Sequence, residues 1–269
     1  GYRTYMTGKW HINLPVDKLF DVVKNPKPGM PKDKGSEYNK QLRIWENESN
    51  KLEDLIDYMP VGYSRPINEN DNSWRPDDPI FGGFWEGGKH WSEVIKDDAI
   101  EFINDSQNFQ NPFFIYLAFN APHDPRQAPK KFLNLYPIEK ISIPVNYSPT
   151  HPYMYEIGNG PGLRDEALAP YPRSKYSVKK HIQEYYAIIS HLDEQVGKII
   201  SHLENKKLLE NTYIIFTSDH GLSVGQHGLL GKQSLYDHSI RVPMIISGPK
   251  IKANSLFNSD VYLQDIVPT

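Results

Sequence analysis

The hydrophobic positions of the chain fall into short continuous runs and one long periodic stretch. Continuous apolar runs occupy residues 113–119, 213–217 and 242–247. Runs of this length and type are typical of strands that are buried on both faces. Residues 3–7, which are rich in Tyr and Thr, predict a further short strand.

Two helices follow from spacing of three and four between apolar residues. The first is expected from Ser92, a candidate N-cap, to about Ile103. The second covers about 182–203 and keeps an apolar stripe over roughly six turns. We expect the three histidines of this long helix, His181, His191 and His202, to lie on its surface.

Apolar strands that alternate with helices predict an α/β fold, with a mainly parallel sheet sandwiched by helices. The segments at about 14–91 and 137–177 lack clear periodicity and are rich in residues that favour turns. We therefore expect two long loops within a single domain that covers residues 1–269. Loops of such length are usually functional or partly disordered.

Composition excludes several classes of protein. The 30 Lys+Arg residues nearly balance the 33 Asp+Glu residues, so the net charge of −3 gives no indication of nucleic acid or of a membrane surface as partner. No apolar run reaches the roughly 18–20 residues that span a bilayer. The absence of Cys excludes disulfides, thiolate metal sites and a cysteine nucleophile within this chain.

Polar residues that could carry chemistry follow the predicted strands. Lys9 and His11 come after the first strand, and His123 lies between two prolines after the second. In α/β sheets, ligands gather where the strands end. Each residue alone fits an ordinary polar loop equally well, so the indication comes from their shared position.

Further candidates lie later in the chain and in the loops. Asp219 and His220 follow the third strand, where adjacent carboxylate and imidazole groups suit a metal ion, although an Asx turn is the simpler interpretation. Lys232 lies in a Gly-rich loop, and Arg126 could meet an anionic group. Several cations at one cleft would indicate an anionic substrate.

Taken together, the motifs resemble one family. These are GYRT through GKWH at 1–11, PHDP at 122–125, TSDHG at 217–221, GQHG at 225–228 and RVP at 241–243. Their order resembles that of the type I, formylglycine-dependent sulfatases of the alkaline-phosphatase superfamily, and more weakly that of bacterial polysaccharide sulfatases. The resemblance implies an alkaline-phosphatase-like fold, removal of sulfate from a sulfated carbohydrate, and a substrate-side position for the two long loops.

The resemblance also implies roles for individual residues. Lys9 and Lys232 would hold the sulfate oxygens and offset charge in the transition state. His123 would protonate the leaving alcohol, and His11 would act on the formylglycine hydroxyl. Apart from the resemblance, Arg126, Arg164 and Arg173 could each meet an anionic group, although solvated loop arginines are common, and Arg126 is the further candidate for substrate binding.

The implied cofactor is a divalent metal, with Ca²⁺ preferred. Asp219 and His220 would supply two of its ligands. Many sulfatases carry Asn where this chain has His220, and calcium prefers oxygen ligands, so zinc or manganese stay open.

In the family, the nucleophile arises from a Cys or Ser in a C/S-x-P/A-x-R motif upstream of the first motif found here. This chain has no Cys and no Ser in such a context. We therefore expect an internal fragment that is inactive alone, from a periplasmic or secreted parent of unknown oligomeric state. Two alternatives stay open: a metal-dependent phosphodiesterase or phosphonate hydrolase, and a non-catalytic protein that binds sulfated glycans.

Overall fold

The computed structural model describes residues 1–268, which form seven strands and six α-helices. The strands are β1 (Arg3–Lys9), β2 (Val22–Lys27), β3 (Trp85–Glu86), β4 (Lys89–His90), β5 (Phe113–Ala118), β6 (Ile214–Thr217) and β7 (Met244–Ser247). The helices are α1 (Lys32–Glu48), α2 (Leu55–Tyr58), α3 (Trp91–Ser106), α4 (Lys130–Leu133), α5 (Lys175–Asn205) and α6 (Asp237–Ile240).

The central sheet has the order β2-β1-β5, and both pairings are parallel. Strand β1 lies in the middle, and its Tyr5 and Met6 are both fully buried. The α/β class and the parallel sheet are therefore confirmed. Strands β6 and β7 differ, because they pair with each other in antiparallel fashion. The segment between them contains only the four-residue α6 rather than a long crossover helix.

Helices α3 and α5 cover one face of the sheet. The Tyr5 ring lies 5.1 Å from the ring of Phe102 on α3, and Thr7 donates a 2.6 Å hydrogen bond to Asp98. Ile103 on α3 packs with Ile199 on α5, against inward residues of β5. The apolar stripes that predicted these helices are thus the surfaces that meet the sheet.

The opposite face is more open than the continuous apolar runs predicted. In β5, Phe114 and Tyr116 are 51% and 44% exposed, and the ring of Phe20 stacks near both. Ile215 of β6 and Ile245 of β7 are also exposed. The prediction of strands buried on both faces is therefore wrong for the described residues, since α3 and α5 pack on one face only.

The prediction of a loop at about 14–91 is also wrong in part, because β2, α1 and α2 lie within it. Helix α1 buries only Tyr38 and Trp45, so its apolar period is too sparse to recognise. Strand β2 contains Pro26 and a left-handed Asn25, which are poor strand signals. The segment at 137–177 contains only two short 3₁₀ turns before α5 begins, as the sequence indicated.

Gly8 fixes how closely β1 and β5 approach at their carboxyl ends. Its φ is +97°, and a Cβ atom there would lie 2.1 Å from the carbonyl oxygen of Ala118. The register with β2 shifts between Thr7 and Gly8. Gly8 thereby sets the position from which Lys9 leaves the sheet.

Candidate active site

The first pair of predicted site residues lies at the ends of β1 and β6. Lys9 is the last residue of β1, and its Nζ donates a 2.9 Å hydrogen bond to Oδ2 of Asp219. The Asp219 side chain is 63% exposed. Lys9 holds the pKa of Asp219 below its usual range against the opposing effect of burial. The carboxylate is therefore charged and open on one side.

The second pair comprises His123 and Lys232, which are 109 positions apart in the sequence. The Nε2 atom of His123 lies 3.2 Å from the Nζ atom of Lys232. The Nδ1 atom of His123 lies 2.8 Å from the backbone oxygen of Asp124, which can only accept a hydrogen. This bond assigns the proton to Nδ1 and leaves Nε2 to accept from Lys232.

Burial is the main cause that lowers the pKa of His123, and Lys232 adds to the effect while Asp124 opposes it. In the absence of an anion, His123 is therefore neutral near pH 7. An anionic group that binds beside Lys232 would favour the protonated imidazole. A proton donor would then form where the substrate needs one.

His11 lies outside these two pairs, on the surface beyond β1. Its ring borders Gly29, where a Cβ atom would come within 2.9 Å of Nδ1. The segment that contains Gly29 is held by Asn120, whose amide donates to the carbonyl oxygens of Pro28 and Gly29. The PHDP segment, which contains His123, begins two residues after Asn120. Asn120 therefore links the backbone beside His11 to the segment that carries His123.

The segment after β6 is joined to the loop of Lys232 by backbone contacts. The N–H of Gly221 donates to the carbonyl oxygen of Ser239 at 2.8 Å, and a Cβ atom at Gly221 would lie 1.9 Å from the carbonyl oxygen of His238. Ser239 lies in α6, and its hydroxyl contacts Ser234 at 3.0 Å. Ser234 in turn donates its N–H to the carbonyl oxygen of Lys232.

Arg126 does not reach the surface. It is 2% exposed, and its Nη1 donates a 3.0 Å hydrogen bond to Nδ1 of His181. His181 uses its Nε2 to donate to the backbone oxygen of Arg65. This guanidinium is bonded within the protein interior. Arg126 is therefore not exposed to a substrate, contrary to the expectation from the sequence.

His181 and His191 are each 1% exposed, so the prediction that they lie on the helix surface is wrong. Both fall on the same helical face as Ile188. The spacing was present in the sequence, but the polar residue type obscured it. His202 lies at the edge of α5, where it contacts Asn104.

Sequence reasoning missed the residues that anchor the Lys232 loop. Glu166 is fully buried and accepts hydrogen bonds from the N–H groups of Leu230 and Gly231, at 3.0 and 2.9 Å. Arg173, 1% exposed, donates to the same carboxylate at 2.9 Å. Nothing in a run of loop residues distinguishes such a buried pair from solvated charges.

The segment at 82–91, which contains Trp85 and Trp91, packs at the start of α3. Trp91 and Phe84 pack in one buried cluster with Ile188 of α5. His90, fully buried, caps α3 by accepting from the N–H of Ser92 at 3.1 Å. Ser92, the candidate N-cap, is therefore inside the helix. The rings of Phe84 and Trp91 therefore support the core.

Two side chains that can donate to a metal ion lie next to each other after β6. Asp219 offers an exposed carboxylate and His220 an imidazole that is 30% exposed. Within residues 1–268, no group of three or more His, Cys, Asp or Glu side chains could hold a metal ion. The donor chemistry of Asp219 and His220 therefore fits two ligands of a divalent cation and leaves the others to residues outside this group.

The sequence profile described as Sulfatase matches residues 1–269. The chain belongs to the sulfatase family. The family is known for its dependence on a divalent metal.

Relatives of this sulfatase-family chain include a sulfatase from Formosa agariphila and the uncharacterized sulfatase YidJ from Escherichia coli. The first is 31% identical over 172 residues, which cover 61% of this chain and 32% of the relative. The second is 25% identical over 284 residues, which cover all of this chain and 49% of the relative. The chain thus spans at most about half the length of these curated relatives.

Solved structures share the fold. A phosphonate monoester hydrolase from Agrobacterium radiobacter matches with a TM-score of 0.58 at 18% identity, over 91% of this chain and 50% of the other. A protein in complex with its substrate D-glucosamine-2-N,6-O-disulfate matches with a TM-score of 0.53 at 20% identity, over 95% and 55%. Both comparisons show the fold alone.

Among the helices of residues 1–268, none combines the length and apolar character needed to cross a membrane.

Proposed function

We propose that this chain is part of a sulfatase that removes sulfate from a sulfated carbohydrate. The observation that carries the proposal is the pairing of His123 with Lys232, which sets an imidazole that an anion can protonate beside a fixed cation at the end of a parallel sheet. Sulfatase-family membership supports it, because the family profile covers the whole chain. The carbohydrate part rests on the resemblance to polysaccharide sulfatases.

In this mechanism, Lys9 and Lys232 hold the sulfate oxygens and offset the charge that develops in the transition state. His123 gives a proton from Nε2 to the leaving oxygen, once the bound anion has favoured the imidazolium form. His11 acts on the hydroxyl of the formylglycine nucleophile, which the resemblance places upstream of this chain. Asp219 and His220 would hold a divalent cation, preferably Ca²⁺, which supplies further positive charge beside the sulfate group.

The test is a product assay on the full-length protein, with sulfated mono- and disaccharides and with matched phosphate and phosphonate esters. We expect release of inorganic sulfate, measured by ion chromatography, with much lower release from the phosphorus esters. His123→Ala should reduce sulfate release by roughly 10²–10⁴-fold. The matched control is His202→Ala, since His202 lies on the outer edge of α5 and should leave turnover unchanged.

The alternatives give different results in the same assay. A phosphodiesterase or phosphonate hydrolase would prefer the phosphorus esters. His220 is the observation that favours this alternative, because a nitrogen donor suits zinc better than calcium. A binding protein would retain sulfated saccharides without releasing sulfate. Either outcome would refute the proposed sulfatase activity.

A further inference from the structure

Arg164 lies between two buried carboxylates that neither strands nor helices hold in place. Asp124 and Asp165 are 5% and 3% exposed. The Nη1 of Arg164 donates to Oδ2 of Asp124, and its Nη2 donates to Oδ1 of Asp124 at 3.2 Å and to Oδ1 of Asp165. One guanidinium thus holds both carboxylates, which a single ammonium group cannot do with the same geometry.

The same two carboxylates also contact the proposed catalytic pair, His123 and Lys232. Oδ1 of Asp124 lies 3.3 Å from Nδ1 of His123. Oδ2 of Asp165 lies 3.1 Å from Nζ of Lys232. Because His123 and Lys232 also contact each other at 3.2 Å, the five side chains form a closed ring. We call this set the charge ring: His123, Asp124, Arg164, Asp165 and Lys232.

The charges in the ring are balanced when His123 is neutral. Arg164 and Lys232 supply two positive charges, and Asp124 and Asp165 supply two negative charges. A sulfate ester that binds at Lys232 adds one negative charge. Protonation of His123 would then make the sum of the charges zero again. Within the charge ring, binding of the anion therefore favours protonation of His123.

We propose that Arg164 is a positioning residue, which fixes the orientation of His123 and Lys232 through Asp124 and Asp165 without touching the substrate. The inference rests on the proposed function of His123 and Lys232. Arg164 lies in a loop, and the next element along the chain is the short 3₁₀ turn at Glu166–Leu168. Its side-chain hydrogen bonds therefore supply rigidity that no helix or strand supplies there.

The decisive variant is Arg164→Lys in the full-length protein, since lysine keeps the charge but loses the forked geometry. We expect kcat to fall by roughly 10–100-fold with a smaller change in KM, because misplacement of reacting groups by about 1 Å has effects of this size. Arg164→Ala with added guanidinium ion should regain part of the lost kcat. Arg75→Lys, which alters an exposed pair with Asp78, is the matched control.

A second measurement separates positioning from general support of the fold. The charged groups that face His123 are Asp124, Arg164 and Lys232. Arg164→Ala leaves the Asp124 charge uncompensated and should raise the pKa of His123 by about one unit. Asp124→Asn removes that charge and should lower the pKa. NMR titration of the His123 ring measures both shifts whether or not the protein hydrolyses sulfate.

The outcomes are distinct. Unchanged kcat in Arg164→Lys, or titration of His123 that does not move in opposite directions in Arg164→Ala and Asp124→Asn, would overturn the positioning role. Loss of thermal stability without either change would likewise assign Arg164 to support of the fold alone. Opposite shifts in a protein that releases no sulfate would uphold the charge ring and refute the sulfatase proposal instead.

Discussion

The two halves of the candidate site differ in how far they are fixed before any ligand arrives. At the ends of β1 and β6, Lys9 and Asp219 form a single ion pair whose carboxylate is 63% exposed. In the charge ring, both carboxylate side chains are 7% exposed or less, and each has at least two partners.

The difference shows which half can change its partners. An exposed ion pair contributes little free energy, so Asp219 can exchange Lys9 for a metal ion at small expense. A buried and fully bonded ring resists such exchange, because the loss of one partner leaves an uncompensated charge. The ring therefore holds its geometry, and the strand-end pair adapts.

The largest effect should follow removal of the carboxylate that anchors the buried half. Glu166→Ala leaves Arg173 with an unpaired charge and two N–H groups without an acceptor. We expect a loss of about 3–5 kcal/mol in the free energy of unfolding, measured by urea titration. Exposed Glu139→Ala serves as control, and a change of less than 1 kcal/mol in Glu166→Ala would contradict the anchoring role.

Lys232→Ala tests the same half through activity. Loss of a cation that stabilises developing charge should reduce kcat by roughly 10²–10³-fold in the full-length protein. The variant also leaves Asp165 without its ammonium partner, so unfolding should be followed in parallel. Lys140→Ala, at an exposed position, is the matched control. Near-normal turnover would refute the role of Lys232.

A change of pH tests the buried interior that surrounds the site. Burial lowers the pKa of His90 to about 3 and that of His181 well below its usual value, so both are neutral in the folded protein. Unfolded histidines bind protons from about pH 6.5 downward, so acid favours the unfolded state. The stability is fully present above that pH and falls progressively as the pH drops toward the folded-state pKa values.

Between pH 7 and pH 5, we expect each of these two histidines to lower the free energy of unfolding by roughly 1–2 kcal/mol. The variants His90→Gln and His181→Gln should each reduce this fall, as measured by urea titration at the two pH values. Variants are needed because other buried histidines, such as His123 and His191, also have lowered pKa values and add to the slope of the parent protein. Stability that stays level over this range would show that the interior histidines are accessible to protons.

The smallest effect should come from the exposed half. Asp219→Asn removes the partner of Lys9, but surface ion pairs contribute about 0–1 kcal/mol. Thermal unfolding of the variant should therefore differ little from that of the parent, and high salt should reduce the difference further. A loss comparable to that of Glu166→Ala would remove the contrast between the two halves.

The sequence allowed prediction of the parts that depend on local pattern. The apolar run at β5 and the PHDP segment after it placed His123 at a sheet edge, and the stripe on α5 placed the long helix. The motif order placed Lys9 and Lys232 among the candidates. Each of these signals lies within a few neighbouring residues.

The supporting charges could not be predicted in this way. Arg164 and Asp124 lie 40 positions apart, and Asp165 reaches Gln233 over 68 positions. Their polar residue types favour loops, and only the folded chain shows that these loops are buried. Helix α1 could not be predicted because it buries too few residues to show a helical period of apolar positions.

Gly8 and Gly221 give the site a further property. Each adjoins a site residue, and at each a single added methyl group would collide with a neighbouring carbonyl oxygen, of Ala118 or of His238. In a saturation library scored for folding and turnover, these two positions should tolerate almost no substitution. Asp219, which follows β6, should tolerate many substitutions without loss of folding. Two residues that carry no side chain would then constrain the site more tightly than one of its own charged groups does.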